Sequence, residues 1–227
     1  MSSPAKILEK LKTDDPKTSL VRDILSVVLV VAVIGIILFG VSGTWPAIVA
    51  VESESMVPNM NIGDLVFVVE ENRFGPVMTA VDAQAADVTS FGGYGDVIIY
   101  QPNGNTHVTP IIHKAITEIN ESVAEELGFT GTHANAGYIT KGDNNEFIDQ
   151  VGSFSGIGRV EPVKEEWVVG KALFAIPLIG YLPLHIWEFA IVVAVLLVLY
   201  ELYSRKKENE AASTRKPQNQ KKGGNLT

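Results

Sequence analysis

Cysteine is absent from the 227 residues, which excludes disulfides, thiolate metal sites and cysteine nucleophiles. Histidine is scarce, at four residues, and no two of them have the short helical spacing of a zinc-hydrolase motif. A metal would have to rely on these and on carboxylates, so neither a metal nor a cofactor is expected. Basic charge is also short in the middle of the chain. Residues 43–185 hold six Lys/Arg against eighteen Asp/Glu, a net −12, and without a basic footprint nucleic-acid binding is not expected. An acidic surface of this kind keeps a protein hydrated in concentrated salt, as in a high-salt host, and predicts a chain that folds better in salt than in dilute buffer.

Apolar residues, 46% of the chain, are concentrated in two blocks. Ile24–Val41 runs for eighteen residues without a charge, broken only by Ser26, Gly35 and Gly40, long enough to cross a hydrocarbon core. A cleavable signal peptide has an apolar region of about 7 to 15 residues ending at a small-x-small site. Here the block is longer and leads into Ser42-Gly43-Thr44-Trp45-Pro46, where the Trp suits an interfacial anchor. A retained helix over 23–43 is expected. The second block is less uniform. Phe189–Tyr200 is apolar between Glu188 and Glu201, and extension from Leu178 to Tyr203 reaches spanning length with aromatic residues at both ends, giving a second span over 178–203.

Residues 1–22 carry five Lys/Arg and three acids, and 204–227 carry seven and two. Basic residues flanking membrane spans stay on the cytoplasmic side. The expectation is a cell-membrane protein with both basic tails, 1–22 and a disordered 204–227, in the cytoplasm and residues 44–177 outside.

That outer segment reads mainly as strand, at 64–69, 96–100, 110–119, 137–140 and 167–176, each short, β-branched and bounded by Gly, Asn or Pro. Ser122 and Glu125 have capping-box spacing before Gly128, predicting a short helix there. Residues 70–95 and 101–107 read as surface loops.

The sharpest local signal is Glu52-Ser53-Glu54-Ser55-Met56-Val57-Pro58, followed by a Gly63-Asp64 turn. It resembles the Ser-Gly-Ser-Met-x-Pro box of type I signal peptidases. The resemblance continues in order: Gly95-Asp96 opening a strand, Ile112-His113-Lys114 like the His-Arg box, Thr140-Lys141-Gly142-Asp143-Asn144-Asn145 with a further acid at Asp149, then Gly170-Lys171 and Ile176-Pro177-Leu178. It covers about residues 24–200, and His in place of Lys resembles the archaeal and endoplasmic-reticulum branch of the family. The resemblance implies a mainly-β, signal-peptidase-like catalytic domain between two transmembrane helices, and a serine endopeptidase that removes signal peptides from secretory preproteins at the outer membrane surface. The preproteins and the lipid bilayer are then its partners, and association with the protein-translocation machinery is admitted.

A serine hydroxyl is a poor nucleophile until a base accepts its proton, and imidazole can do so near neutral pH. By the resemblance Ser55 attacks, His113 is the base, Asp149 or Asp143 orients the ring, and the Ser55 amide with the Ser53 hydroxyl forms the oxyanion hole. The sequence does not separate the two acids, and Asp143 in Gly-Asp-Asn-Asn also suits a plain turn. Lys114 is a rival base, but neighbouring strand residues point to opposite faces, so only one of the pair can face Ser55. His107 reads as a polar loop residue. Met56, Val57 and Met60 are candidates for the substrate pocket. Glu54 stands where the family has Gly, which raises the question of a strained backbone there. Two other readings stay open: a catalytically inactive homologue or signal-sequence-binding assembly subunit, and a membrane-tethered protease for regulatory substrates.

Overall fold

In the computed structural model, residues 16–154 and 156–214 are described. The basic tails fall partly outside them, at 1–15 and 215–227. The chain divides into two units, one up to Tyr181 and one from Leu182.

The first unit begins with α1 (Pro16–Ser42). Gly43 ends the helix at φ +78°, its N–H donating to Phe39 O at 2.8 Å, the left-handed stop that glycine adopts without steric cost. Within α1, Val21–Ser42 is long and apolar enough to cross a membrane, with a mean hydropathy of 3.2. Most of its apolar side chains point outward, Ile36 being 71% exposed, while Leu38 packs against Ala47, Phe67 and Val69. Such a surface suits an apolar surrounding.

A six-stranded antiparallel sheet follows, in the order β1 (Ile48–Ala50), β2 (Leu65–Val69), β10 (Val168–Ile176), β5 (Val97–Tyr100), β6 (Ile111–Ile119), β7 (Gly137–Lys141). Its strands are apolar on both sides. One face packs Val66, Val68, Val97 and Ile99 against Val51, Met56 and Met60. The other packs Ile98, Tyr100 and Ala115 against Val160 and Val163. Two-residue periodicity therefore sends Ile112 and Lys114 of β6 to the first face, and Ile111, His113 and Ala115 to the second.

Five expected strands match β2, β5, β6, β7 and β10 to within a residue, giving a sheet-rich domain. Residues 70–95 are not simply a loop. They contain α2 (Ala80–Ala86) and the hairpin of β3 (Thr89–Ser90) and β4 (Gly93–Tyr94). Thr79 caps α2 by accepting from Asp82 N–H at 3.2 Å while its hydroxyl donates to Asp82 at 2.7 Å. The short helix α3 (Glu121–Glu126) is capped by Asn120, which accepts from Val123 N–H, and not by Ser122. Asn120 sits one residue outside the helix with extended backbone angles, as a cap requires. A second small hairpin joins β8 (Ser153–Phe154) and β9 (Gly158–Arg159).

The long C-terminal helix does not begin at Leu178. Leu178 has a left-handed backbone at φ +67°, and Gly180 N–H donates to Gly63 O at 2.9 Å, which ties this segment to the turn before β2. After the single-turn helix α4 (Tyr181–Leu184), the second unit carries α5 (Ile186–Thr214), with Ile186–Lys207 apolar enough to cross a membrane at a mean hydropathy of 2.0. Glu188 lies in its first turn, the end of a span where a carboxylate reaches water most easily. The helix continues through 204–214, where a disordered tail was expected.

Candidate active site

His113 lies in β6 opposite Ile98, on the face that carries Tyr100. Its side chain is 3% exposed, and Nδ1 lies 2.6 Å from Asp149 Oδ2. Asp149 comes from the loop between β7 and β8, where its own N–H donates to Thr140 O at 2.9 Å. The same carboxylate oxygen accepts from the Thr140 hydroxyl at 2.7 Å and the Tyr100 hydroxyl at 2.9 Å. Burial, and then the charge of Asp149, push the Tyr100 hydroxyl well above its ordinary pKa, so it remains a donor. With Nδ1 donating to a carboxylate, the ring's Nε2 is left to accept a proton.

Nε2 faces Gly142. A Cβ there would meet Nε2 at 2.8 Å and the Ser55 carbonyl oxygen at 2.5 Å. The absent side chain is thus what lets the ring and the Ser55 backbone approach from two sides. Asn144 completes the junction, its N–H donating to Ser55 O at 2.8 Å and its side-chain amide to Glu54 O at 3.1 Å.

Ser53, Ser55 and His113 line one cavity of about 450 Å³. Much of its remaining wall is apolar, including Ala50, Ile112 and Phe154. The Ser55 hydroxyl pairs with the Ser53 hydroxyl at 3.2 Å, and not with His113. Hydrogen bonds between a nucleophile and its base are commonly long before substrate binds. Glu54 is exposed and is not among the residues with positive φ, so its side chain is carried without left-handed strain.

The two candidate acids separate. Asp149 contacts the ring. Asp143 instead accepts from Asn59 Nδ2 at 2.8 Å and lies 3.5 Å from Lys114 Nζ. Lys114 points to the opposite face of β6, where it donates to the carbonyl oxygens of Ser90 and Phe91 at 3.2 and 3.3 Å, so it does not compete with His113 for Ser55. His107 is exposed and donates its backbone N–H to Asn105, away from the cavity. Of the apolar pocket candidates, Met56 lines the cavity while Val57 and Met60 do not. Met60 is fully buried in the sheet core, because the turn at 56–60 folds it under the loop instead of toward the cavity.

Tyr100 and Thr140 escaped the sequence reading. Thr140 adjoins Lys141-Gly142-Asp143, and Tyr100 closes the strand opened by Gly95-Asp96, but nothing in either position announces that both hydroxyls meet one carboxylate. Among the described residues no group of three or more His, Asp or Glu is placed to hold a metal ion. Comparison of the chain with protein-family models and with curated proteins gives no match.

Proposed function

We propose that the chain is a membrane-anchored serine endopeptidase that cleaves signal peptides from exported preproteins, with Ser55 as nucleophile and His113 as general base. The observation that carries this reading is the buried His113–Asp149 pair at 2.6 Å, whose free ring nitrogen meets the Ser55 backbone across Gly142.

In this mechanism a precursor strand enters the apolar cavity with its scissile carbonyl beside Ser55. His113 Nε2 takes the hydroxyl proton as Oγ attacks, and Asp149 stabilises the imidazolium that forms. The imidazolium then returns the proton to the departing amine, and a water deprotonated by the same nitrogen releases the acyl group. The Ser53 hydroxyl and the Ser55 N–H are the proposed donors to the tetrahedral oxyanion. Loss of one such donor typically costs about 10²–10³ in rate. The fold class we propose is the signal-peptidase-like β domain, with both apolar helices spanning the bilayer, the termini in the cytoplasm and the sheet outside. Ser55 follows the end of α1 by thirteen residues, which suits a substrate whose own apolar segment ends at the same surface.

Ser55→Ala and His113→Ala are expected to abolish processing of a preprotein by the full chain while membrane insertion persists. Full cleavage by either variant defeats the mechanism. A second reading, a homologue that binds signal sequences without cutting them, is favoured by the Ser55 hydroxyl pairing with Ser53 instead of His113. Incubation of the wild-type chain with a preprotein separates the two, since only the first yields a shortened product.

A further inference from the structure

The loop that carries Ser55 is fastened in two directions. Met56 and Met60, 1% and 0% exposed, hold it in the sheet core. Asn59, between them, turns the other way and donates to Asp143 Oδ2 at 2.8 Å. The second oxygen of Asp143 lies 3.5 Å from Lys114 Nζ, and Lys114 adjoins His113 in β6. A short polar chain thus runs from the nucleophile loop to the strand position beside the proposed base. Asn144, the next residue after Asp143, bonds to Ser55 and Glu54 from the same loop.

We infer that Lys114, Asp143 and Asn59 form a positioning strut that fixes the Ser55 loop against the strand of His113, and that none of them transfers a proton; this rests on the proteolytic reading above. Three contacts already engage the Lys114 ammonium, two carbonyl oxygens and the Asp143 carboxylate, and they keep it on the face away from His113. The pair is also an inefficient way to stabilise a fold. The side chains of Lys114 and Asp143 are only 6% and 16% exposed, and the desolvation of two charges offsets most of their attraction. What such a pair supplies is a fixed geometry. Consecutive Cα atoms are held about 3.8 Å apart by the chain, so a clamp on Lys114 also fixes the origin of the His113 side chain. Reaction geometry is steep enough that a displacement of about 1 Å can cost 10²-fold.

The test uses the full chain in proteoliposomes with a preprotein substrate. Asn59→Ala frees the loop from the strut and leaves the Lys114–Asp143 pair intact, so the fold does not depend on it. The expected result is a kcat lower by about 10- to 100-fold, with KM, melting temperature and the shape of the pH–rate profile unchanged. Lys114→Met is expected to lose activity and Lys114→Arg, which keeps the cation but cannot act as a base near neutral pH, to recover most of it. Undiminished kcat in Asn59→Ala overturns the inference, as does a loss that merely follows a fall in melting temperature. A folded but inactive Lys114→Arg also overturns it, by returning Lys114 to the chemistry. If the wild-type chain cleaves no preprotein, the proteolytic reading fails and the strut fails with it, an outcome distinct from an active wild type beside an equally active Asn59→Ala.

Discussion

His113 and Lys114 are consecutive in β6, and each holds an acid of the same loop on an opposite side of the strand: His113 binds Asp149 at 2.6 Å and Lys114 binds Asp143 at 3.5 Å. Alternation of side chains along a strand produces this division. Both acids lie in one loop, so two residues that look interchangeable in sequence acquire different surroundings. One sits against an imidazole with two hydroxyls, and the other between an ammonium and an amide.

The division predicts unequal effects of similar substitutions. Asp149→Asn places an amide against Nδ1 and favours the tautomer in which Nε2 carries the proton, so on the proposed proteolytic reading preprotein cleavage is expected to fall by about 10³–10⁴-fold. Asp143→Asn leaves that tautomer unchanged and is expected to cost at least tenfold less than Asp149→Asn, mainly through misplacement of the loop. Single-turnover rates on one preprotein measure both, and a reversed order contradicts the assignment of Asp149.

Gly142 offers a steric test. Its replacement by Ala puts a Cβ at 2.8 Å from His113 Nε2 and 2.5 Å from Ser55 O, both far inside contact distance. The ring and the Ser55 loop must separate, and on the proposed proteolytic reading the expected loss of kcat is about 10²-fold or more in a chain whose circular dichroism is unchanged. Wild-type turnover in Gly142→Ala means that the approach across this glycine is not used in the reaction.

Glu71, outside the cavity, predicts a pH dependence of stability. Burial, then the charges of Glu165 and Glu70, push its carboxyl from 4.5 up to about 7, against a smaller opposing effect from Lys171. The folded state therefore holds this proton more tightly than the unfolded chain. Its contribution is fully present below about pH 4.5 and is lost as pH rises through about 7, since ionisation then forces a partly buried charge beside like charges. Melting temperatures recorded between pH 5 and 8 should fall more for the wild type than for Glu71→Gln, and equal slopes remove Glu71 as the cause.

Salt acts on the domain as a whole. The net −12 of residues 43–185 implies self-repulsion that counter-ions screen, the Debye length shrinking from about 10 Å at 0.1 M to about 3 Å at 1 M. Thermal unfolding in potassium chloride should move to higher temperature over this range. A melting temperature that is highest in dilute buffer contradicts the salt-adapted reading of the surface.

Elements with strong local signals were legible in the sequence. The apolar run before Gly43 and the five β-branched segments carry their own periodicity, and each forms where expected. Weaker signals were misread. The α2 segment has a cap at Thr79 and Asp82 as good as the one sought at Ser122, but it lies in a stretch of mixed polarity that read as loop. The end of α1 and the start of α5 differ for a related reason: Gly43 is a local stop, whereas Leu178–Gly180 are held by the distant Gly63.

By itself the sequence determined the two apolar helices, the β-rich segment between them and a short set of reactive residue types in order, because hydropathy and periodicity act over neighbours in the chain. Only the tertiary structure decided which acid meets His113, that Tyr100 and Thr140 share that acid, and that Lys114 turns away. Those outcomes depend on strand register and on the path of one loop, which bring residues 36 and 49 positions from Asp149 within hydrogen-bond reach of it, and no local pattern encodes such distances.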